Sequence, residues 1–179
     1  MLAGVTVGAL ALGAAPARSQ GGPPTEAQIK AVFLYNFTKY VDWPVEAFRA
    51  AADPLTVCVL GVDPFGSALE DTLRGEAVND RKLAARHIES VDEAGGCQLL
   101  YVSSSEEREL TRILKLLQGK PILTVGEMNQ FAESGGMINL RTVQNKIRFD
   151  INEGAASRAG LKISSQLLKL GRIVSSGAS

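Results

Sequence analysis

The sequence predicts an α/β fold: a mostly parallel sheet with an antiparallel hairpin at its edge and helices on both faces. Three observations carry that expectation. The run Val57-Cys-Val-Leu60, bounded by Pro54 and Gly61, is short, apolar and rich in β-branched residues, as a strand buried on both faces requires. Beyond it, apolar runs of strand length alternate with segments of helical period, a rhythm that implies right-handed crossovers between parallel strands. Near the end, Ile147, Phe149 and Ile151 alternate with Lys146, Arg148 and Asp150, so one face of that strand should be buried and the other wet. Together these describe a single-domain, Rossmann-like sandwich, and 179 residues with 45 % hydrophobic content are enough to fill its core.

In chain order, Met1 to Ala17 carries no charge, and its apolar run closes on Ala15-Pro16-Ala17, the small-residue pattern of a signal-peptidase site. A signal peptide over residues 1–17, and hence export, is expected, although the positive start that should precede such a region is missing. An uncleaved anchor is the competing reading, but about fourteen apolar residues fall short of the roughly twenty that span a bilayer. Residues 18–24 are Gly/Pro-rich and should form a disordered leader, and residues 175–179 a disordered tail. Nineteen Lys+Arg balance nineteen Asp+Glu, so no net field draws the chain to nucleic acid or an anionic membrane.

Thr25 with Gln28 forms a capping box for a helix that should run to about Val41. Ile29, Val32, Phe33, Phe37 and Tyr40 fall on one helical stripe, widened by Leu34 and Val41, and Pro44 stops the helix by pushing Trp43 out of helical geometry. The segment carries four of the chain's ten aromatics, an arrangement that reads as core packing, with any surplus left over as a partner surface. The sequon Asn36-Phe37-Thr38 falls mid-helix and reads as chance.

After the first strand, Gly61 to Gly66 has the glycine spacing of a P-loop, yet Ser67 and Ala68 follow where that chemistry needs Lys and Ser/Thr. A plain turn fits better: Asp63 bonds the local backbone and Pro64 opens a helix from Phe65 to Leu73. Asn79-Asp80 turns the chain into a half-exposed strand, Leu83 to Ile88, bearing the single histidine, His87, which has none of the companions a metal site needs. Leu99 to Val102 is another buried strand. Ser103, Ser104 and Ser105 then cap a helix from Glu106 to Leu117; they lack the nucleophile-elbow glycines, so capping accounts for them. That helix ends at Gly119, and Pro121 to Val125 supplies the next strand. No catalytic constellation, metal or cofactor motif emerges.

Met137 to Leu140, opened by Gly135-Gly136, pairs with Lys146 to Ile151 across a turn at Thr142 to Asn145, as an antiparallel edge hairpin. Two helices finish the chain, Glu153 to Ala159 and Lys162 to about Arg172. Two cysteines, Cys58 and Cys97, lie in or beside neighbouring strands. In an exported chain an even count suggests a disulfide worth about 3 to 4 kcal/mol; two unpaired buried thiols are the alternative.

Five blocks in order, Lys30-Ala-Val-Phe-Leu-Tyr-Asn-Phe-Thr-Lys-Tyr-Val-Asp-Trp-Pro44, Cys58-Val-Leu-Gly-Val-Asp-Pro-Phe-Gly66, Gly135-Gly-Met-Ile138, Asn145-Lys-Ile-Arg-Phe-Asp-Ile-Asn152 and Ile163-Ser-Ser-Gln-Leu-Leu168, resemble the signatures of the YfiR family, from about Thr25 to Val174. The resemblance implies a non-catalytic periplasmic regulator. Such a protein binds the periplasmic sensing domain of an inner-membrane diguanylate cyclase and holds it inactive, until an outer-membrane, peptidoglycan-associated lipoprotein sequesters the regulator and cyclic di-GMP rises. It also implies redox control through Cys58 and Cys97; some members carry a second cysteine pair around the Gly-Gly segment, a region where this chain has Ala132 and Asn139.

Edge strands offer a partner both backbone and charge, so the expected partner surface comprises Ile138, Asn145, Arg148 and Asp150, with Arg158. A homodimer is compatible with this reading. The alternative is a small-molecule sensor whose crevice, at the carboxyl ends of the strands, is formed by Asp63, Phe65, Ser103, Ser104 and Ser105.

Overall fold

The structure is a computed structural model that describes residues 22–177. The expected signal peptide, the first residues of the leader and the last two of the tail lie outside the described residues. Thr25 Oγ1 accepts from the Gln28 amide while Gln28 Oε1 accepts from the Thr25 amide, and this capping box starts helix α1 (Glu26–Lys39). The helix stops two residues earlier than expected, because Val41–Asp42 forms a short strand, β1, held extended beside Trp43, whose indole Nε1 donates to the Gln98 carbonyl at 3.0 Å.

The remaining strands are β2 (Leu55–Leu60), β3 (Ala77–Val78), β4 (Arg81–Ile88), β5 (Leu99–Val102), β6 (Leu123–Gly126), β7 (Ile138–Val143), β8 (Lys146–Ile151), β9 (Lys162–Ile163) and β10 (Arg172–Ile173). The helices are α2 (Ser67–Leu73), α3 (Leu110–Leu117), α4 (Glu153–Arg158) and α5 (Ser165–Leu168). Eight strands build the main sheet in the order β10-β8-β7-β6-β5-β2-β4-β3, while β1 and β9 pair apart from it. The β8-β7 and β4-β3 pairs are antiparallel and every other neighbour in the main sheet is parallel, so the α/β expectation holds.

Each central strand feeds two cores, as its alternation requires. Val57 and Val59 of β2 join Leu34 and Phe37 of α1, Leu69 of α2 and Ala156 of α4 on one face. Cys58 and Leu60 join Leu110, Ile113 and Leu117 of α3 on the other. The disulfide forms there: Cys58 and Cys97 are bridged with Cα atoms 5.8 Å apart, and both are buried.

Three segments differ from the sequence reading. On α1 the buried face is Lys30, Ala31, Leu34, Phe37 and Thr38, one step round from the expected stripe, which leaves Ile29 and Val32 exposed. Phe33 and Phe37 meet Phe149 of β8 with ring centroids 5.8 and 5.3 Å apart, so aromatic packing on the hairpin sets the rotation of the helix. After Ser103, Ser104–Glu109 winds as a tighter 3-10 turn before α3 begins. The expected final helix is broken into β9, α5 and β10. Ser164 caps α5 by accepting from the Leu167 amide, and a Cβ at Gly171 would stand 2.7 Å from the Phe149 ring, so only glycine lets the chain pass tightly enough to add β10 beside β8. The hairpin is therefore not outermost along its whole length: β10 pairs with Asp150 and Ile151 alone.

Candidate partner-binding surface

The turn residues Gln144 and Asn145 both have positive φ, 50° and 61°, which sets a two-residue hairpin and with it the register of β7 on β8. That register places Asn139 opposite Asp150, Arg141 opposite Arg148 and Val143 opposite Lys146. Since paired residues share a face, Arg141, Lys146 and Arg148 stand together, while Ile138, Leu140, Phe149 and Ile151 enter the core. The last strand brings Arg172 beside Asp150 on the charged side. Four cations are thus gathered by three strands.

Asp150 holds them. It is 1 % exposed, and its Oδ1 accepts from Arg141 Nη2 and Arg172 Nε, both at 2.8 Å; its Oδ2 accepts from Arg172 Nη2 at 2.8 Å and lies 2.7 Å from Arg141 Nε. Burial pushes the carboxyl up, but the hydrogen bonds from Arg172 and Arg141 outweigh it, so Asp150 ionises below the usual carboxylate range. Arg172 Nη2 also reaches Glu133 Oε1 at 3.6 Å. Arg148 and Lys146, at the far end of the hairpin, are exposed with no ion pair among the described residues. Val143, opposite Lys146, adds exposed apolar area at 40 %. A cleft of about 580 Å³ runs beside this face, lined by Arg141, Asp150 and Arg172 together with Glu107, Glu127 and Glu133.

Residues 27–172 match the model of the family described as YfiR/HmsC-like. The chain belongs to this family. As a YfiR/HmsC-like protein it falls among periplasmic regulators that act on membrane-associated signalling partners, a regulatory and not a catalytic class. The matched stretch takes in the disulfide, the whole hairpin and Arg172. No helix among the described residues is long and apolar enough to cross a membrane, and none of their side chains form a group that could hold a metal.

Of the residues expected at the partner surface of this YfiR/HmsC-like protein, Asn145 and Arg148 are exposed on the hairpin. Ile138 is fully buried, because its side chain falls on the core face of β7. Asp150 is not wet as its alternation implies; Arg141 and Arg172 roof it over, so its part in any contact is to position those two guanidinium groups. Arg158 is exposed on α4 but lines a different cavity. Arg141 and Arg172 escaped the sequence reading. Placing the turn at Gln144-Asn145 would have set Arg141 opposite Arg148, whereas nothing local marks Arg172 as a strand.

The residues of the expected crevice are engaged within the chain. Asp63 Oδ1 accepts from the Phe65 amide at 2.7 Å, and Phe65 is buried edge-on against Tyr101. Ser103, also buried, accepts from the Ser105 amide; Ser105 Oγ accepts from the Val62 amide at 3.0 Å; Ser104 is exposed. Nearby, Lys30 of α1 pairs with Glu26 and with Glu127, just past the end of β6. Burial lowers the Lys30 pKa, but hydrogen bonds to the two carboxylates more than reverse it; Tyr101 is raised, first by burial and then by the charge of Glu127.

Proposed function

We propose that this protein is an exported periplasmic repressor that binds the sensing domain of an inner-membrane diguanylate cyclase and holds it inactive. An outer-membrane, peptidoglycan-associated lipoprotein withdraws it, and cyclic di-GMP then rises. Family membership supports the regulatory class. The observation that carries the choice of surface is the hairpin itself, where Arg141, Lys146, Arg148 and Arg172 share one face and the outer edge of β8 from Lys146 to Phe149 is left without a strand partner. Unpaired backbone and concentrated charge together suit strand addition by an acidic, extended segment of a partner. Charge on such a rim governs encounter rate and partner choice more than raw affinity.

Deleting the gene should raise intracellular cyclic di-GMP, and a plasmid copy should restore it. No rise under any growth condition would remove the repressor reading. Complementation with a Lys146→Glu/Arg148→Glu variant should leave the level high although the protein is folded and exported; full restoration would move the contact elsewhere.

A further inference from the structure

The main sheet splits at the amino end of β6, ahead of the start of β7. Across β5 and β6 the pairing runs from Leu99 and Leu123 onward, but β6 and β7 pair only at Val125–Ile138 and Gly126–Asn139. Leu123 and Thr124 therefore have no strand on their other side. Thr124 Oγ1 accepts the Met137 amide at 3.0 Å in place of a ladder bond. The fork opens into a cavity of about 260 Å³ between the end of α3, the Ser134-Gly135 turn and α4. At about 30 Å³ per water that is room for roughly nine waters, the size of a small organic molecule.

Its lining has one sign. Lys115 and Arg158 border it, no carboxylate does, and neither cation has an ion-pair partner among the described residues. Thr124, 2 % exposed, borders the cavity; its hydroxyl accepts from the Met137 amide, and its proton has no acceptor among the described residues. Ser134 adds a second hydroxyl, and Leu114, Leu117 and Met137 supply an apolar wall. Cations and hydroxyl donors converging beside apolar surface are what an oxyanion with a hydrocarbon body requires.

We propose that this fork is a binding site for a small organic anion. The carboxylate or phosphate lies between Lys115 and Arg158 and accepts a hydrogen bond from the Thr124 hydroxyl, while the hydrocarbon part rests on Leu114 and Met137. The site is remote from the strand-end crevice that the sequence suggested, and it stands independently of the repressor reading.

The test uses the exported form of the chain at fixed ionic strength, with benzoate and phenyl phosphate as the two anionic probes and benzyl alcohol as the neutral one. Benzoate, phenyl phosphate or both should raise Tm by about 3 °C at roughly ten times Kd, and comparing the two separates carboxylate from phosphate preference. Lys115→Ala/Arg158→Ala should weaken binding by at least about tenfold, the loss of one charge-assisted contact or more. Arg158→Lys should retain more binding than Arg158→Gln, a comparison that stands even if the double variant loses stability, and Arg112→Ala, an exposed cation outside the lining, should bind as the parent does. The proposal is overturned if neither anion shifts Tm, if benzyl alcohol shifts it as much, or if the double variant responds like the parent.

Discussion

Replacing Asp150 by Asn should unlatch the last strand. In the native chain this carboxylate, 1 % exposed, receives three hydrogen bonds from Arg141 and Arg172 at 2.8 Å. A hydrogen bond to a charged group is worth about 1.5 to 3 kcal/mol, and removing one partner of a fully buried pair costs about 3 to 5 kcal/mol. The two arginines, with side chains 37 % and 59 % exposed, regain water when the carboxylate is lost, which sets the cost at the lower end. A loss of about 2 to 3 kcal/mol follows, or a fall in Tm of roughly 5 to 10 °C for a chain of this length.

The pH dependence has a definite sign. Because folding lowers the Asp150 pKa, its contribution is fully present above the unfolded carboxylate value near 3.9 and disappears as pH falls through the lower folded value. Urea melts of parent and Asp150→Asn should therefore differ at pH 7 and converge below about pH 4. Amide exchange should quicken first at Ile173 and Val174, which β8 holds through the pairing of Ile173 with Ile151 and the bond from the Val174 amide to the Ile151 carbonyl. Equal stability at pH 7, or a gap that does not change with pH, would refute the reasoning.

Other perturbations have equally direct readouts. The Cys58–Cys97 bridge closes a loop with a sequence separation of 39, so Cys58→Ser/Cys97→Ser should lose about 4 kcal/mol in the chain-entropy model, read from urea midpoints. Both sulfurs are buried, so thiol exchange in the native protein should proceed only at the rate of opening and should accelerate with urea. Gly171→Ala should cost about 1 to 3 kcal/mol, since the new methyl meets the Phe149 ring and Ile151, and Phe149→Leu should relieve part of it in a double-mutant cycle. Lys146→Glu/Arg148→Glu should leave Tm within about 1 °C, because both side chains are exposed and unpaired among the described residues, and under the proposed repressor function it should reduce capture of the cyclase sensing domain in a pull-down.

Local chemistry made the scaffold readable. Val57 to Leu60 and Leu99 to Val102 are apolar on both faces, Thr25 and Gln28 cap each other, and Gly119 closes a helix, each within a window of a few residues. What failed depends on distant contacts. Lys162 to Arg172 has helical spacing, but the chain trades that helix for strand pairing with β1 and β8, which no neighbouring residue announces. The same distance hid the site: Asp150 reads as a wet strand residue until Arg172, 22 positions away, covers it. The α1 stripe was misplaced by one step because Phe149, far along the chain, decides which ring faces inward.

Trp43 is the only tryptophan, and its indole is tethered to the carbonyl of Gln98, the residue that follows Cys97. Its emission is therefore a built-in gauge of one junction, where the end of the first helix meets the strand beside the bridge. Severing the bridge without disturbing that junction should leave the emission maximum in place, and a red shift would announce that the two have parted.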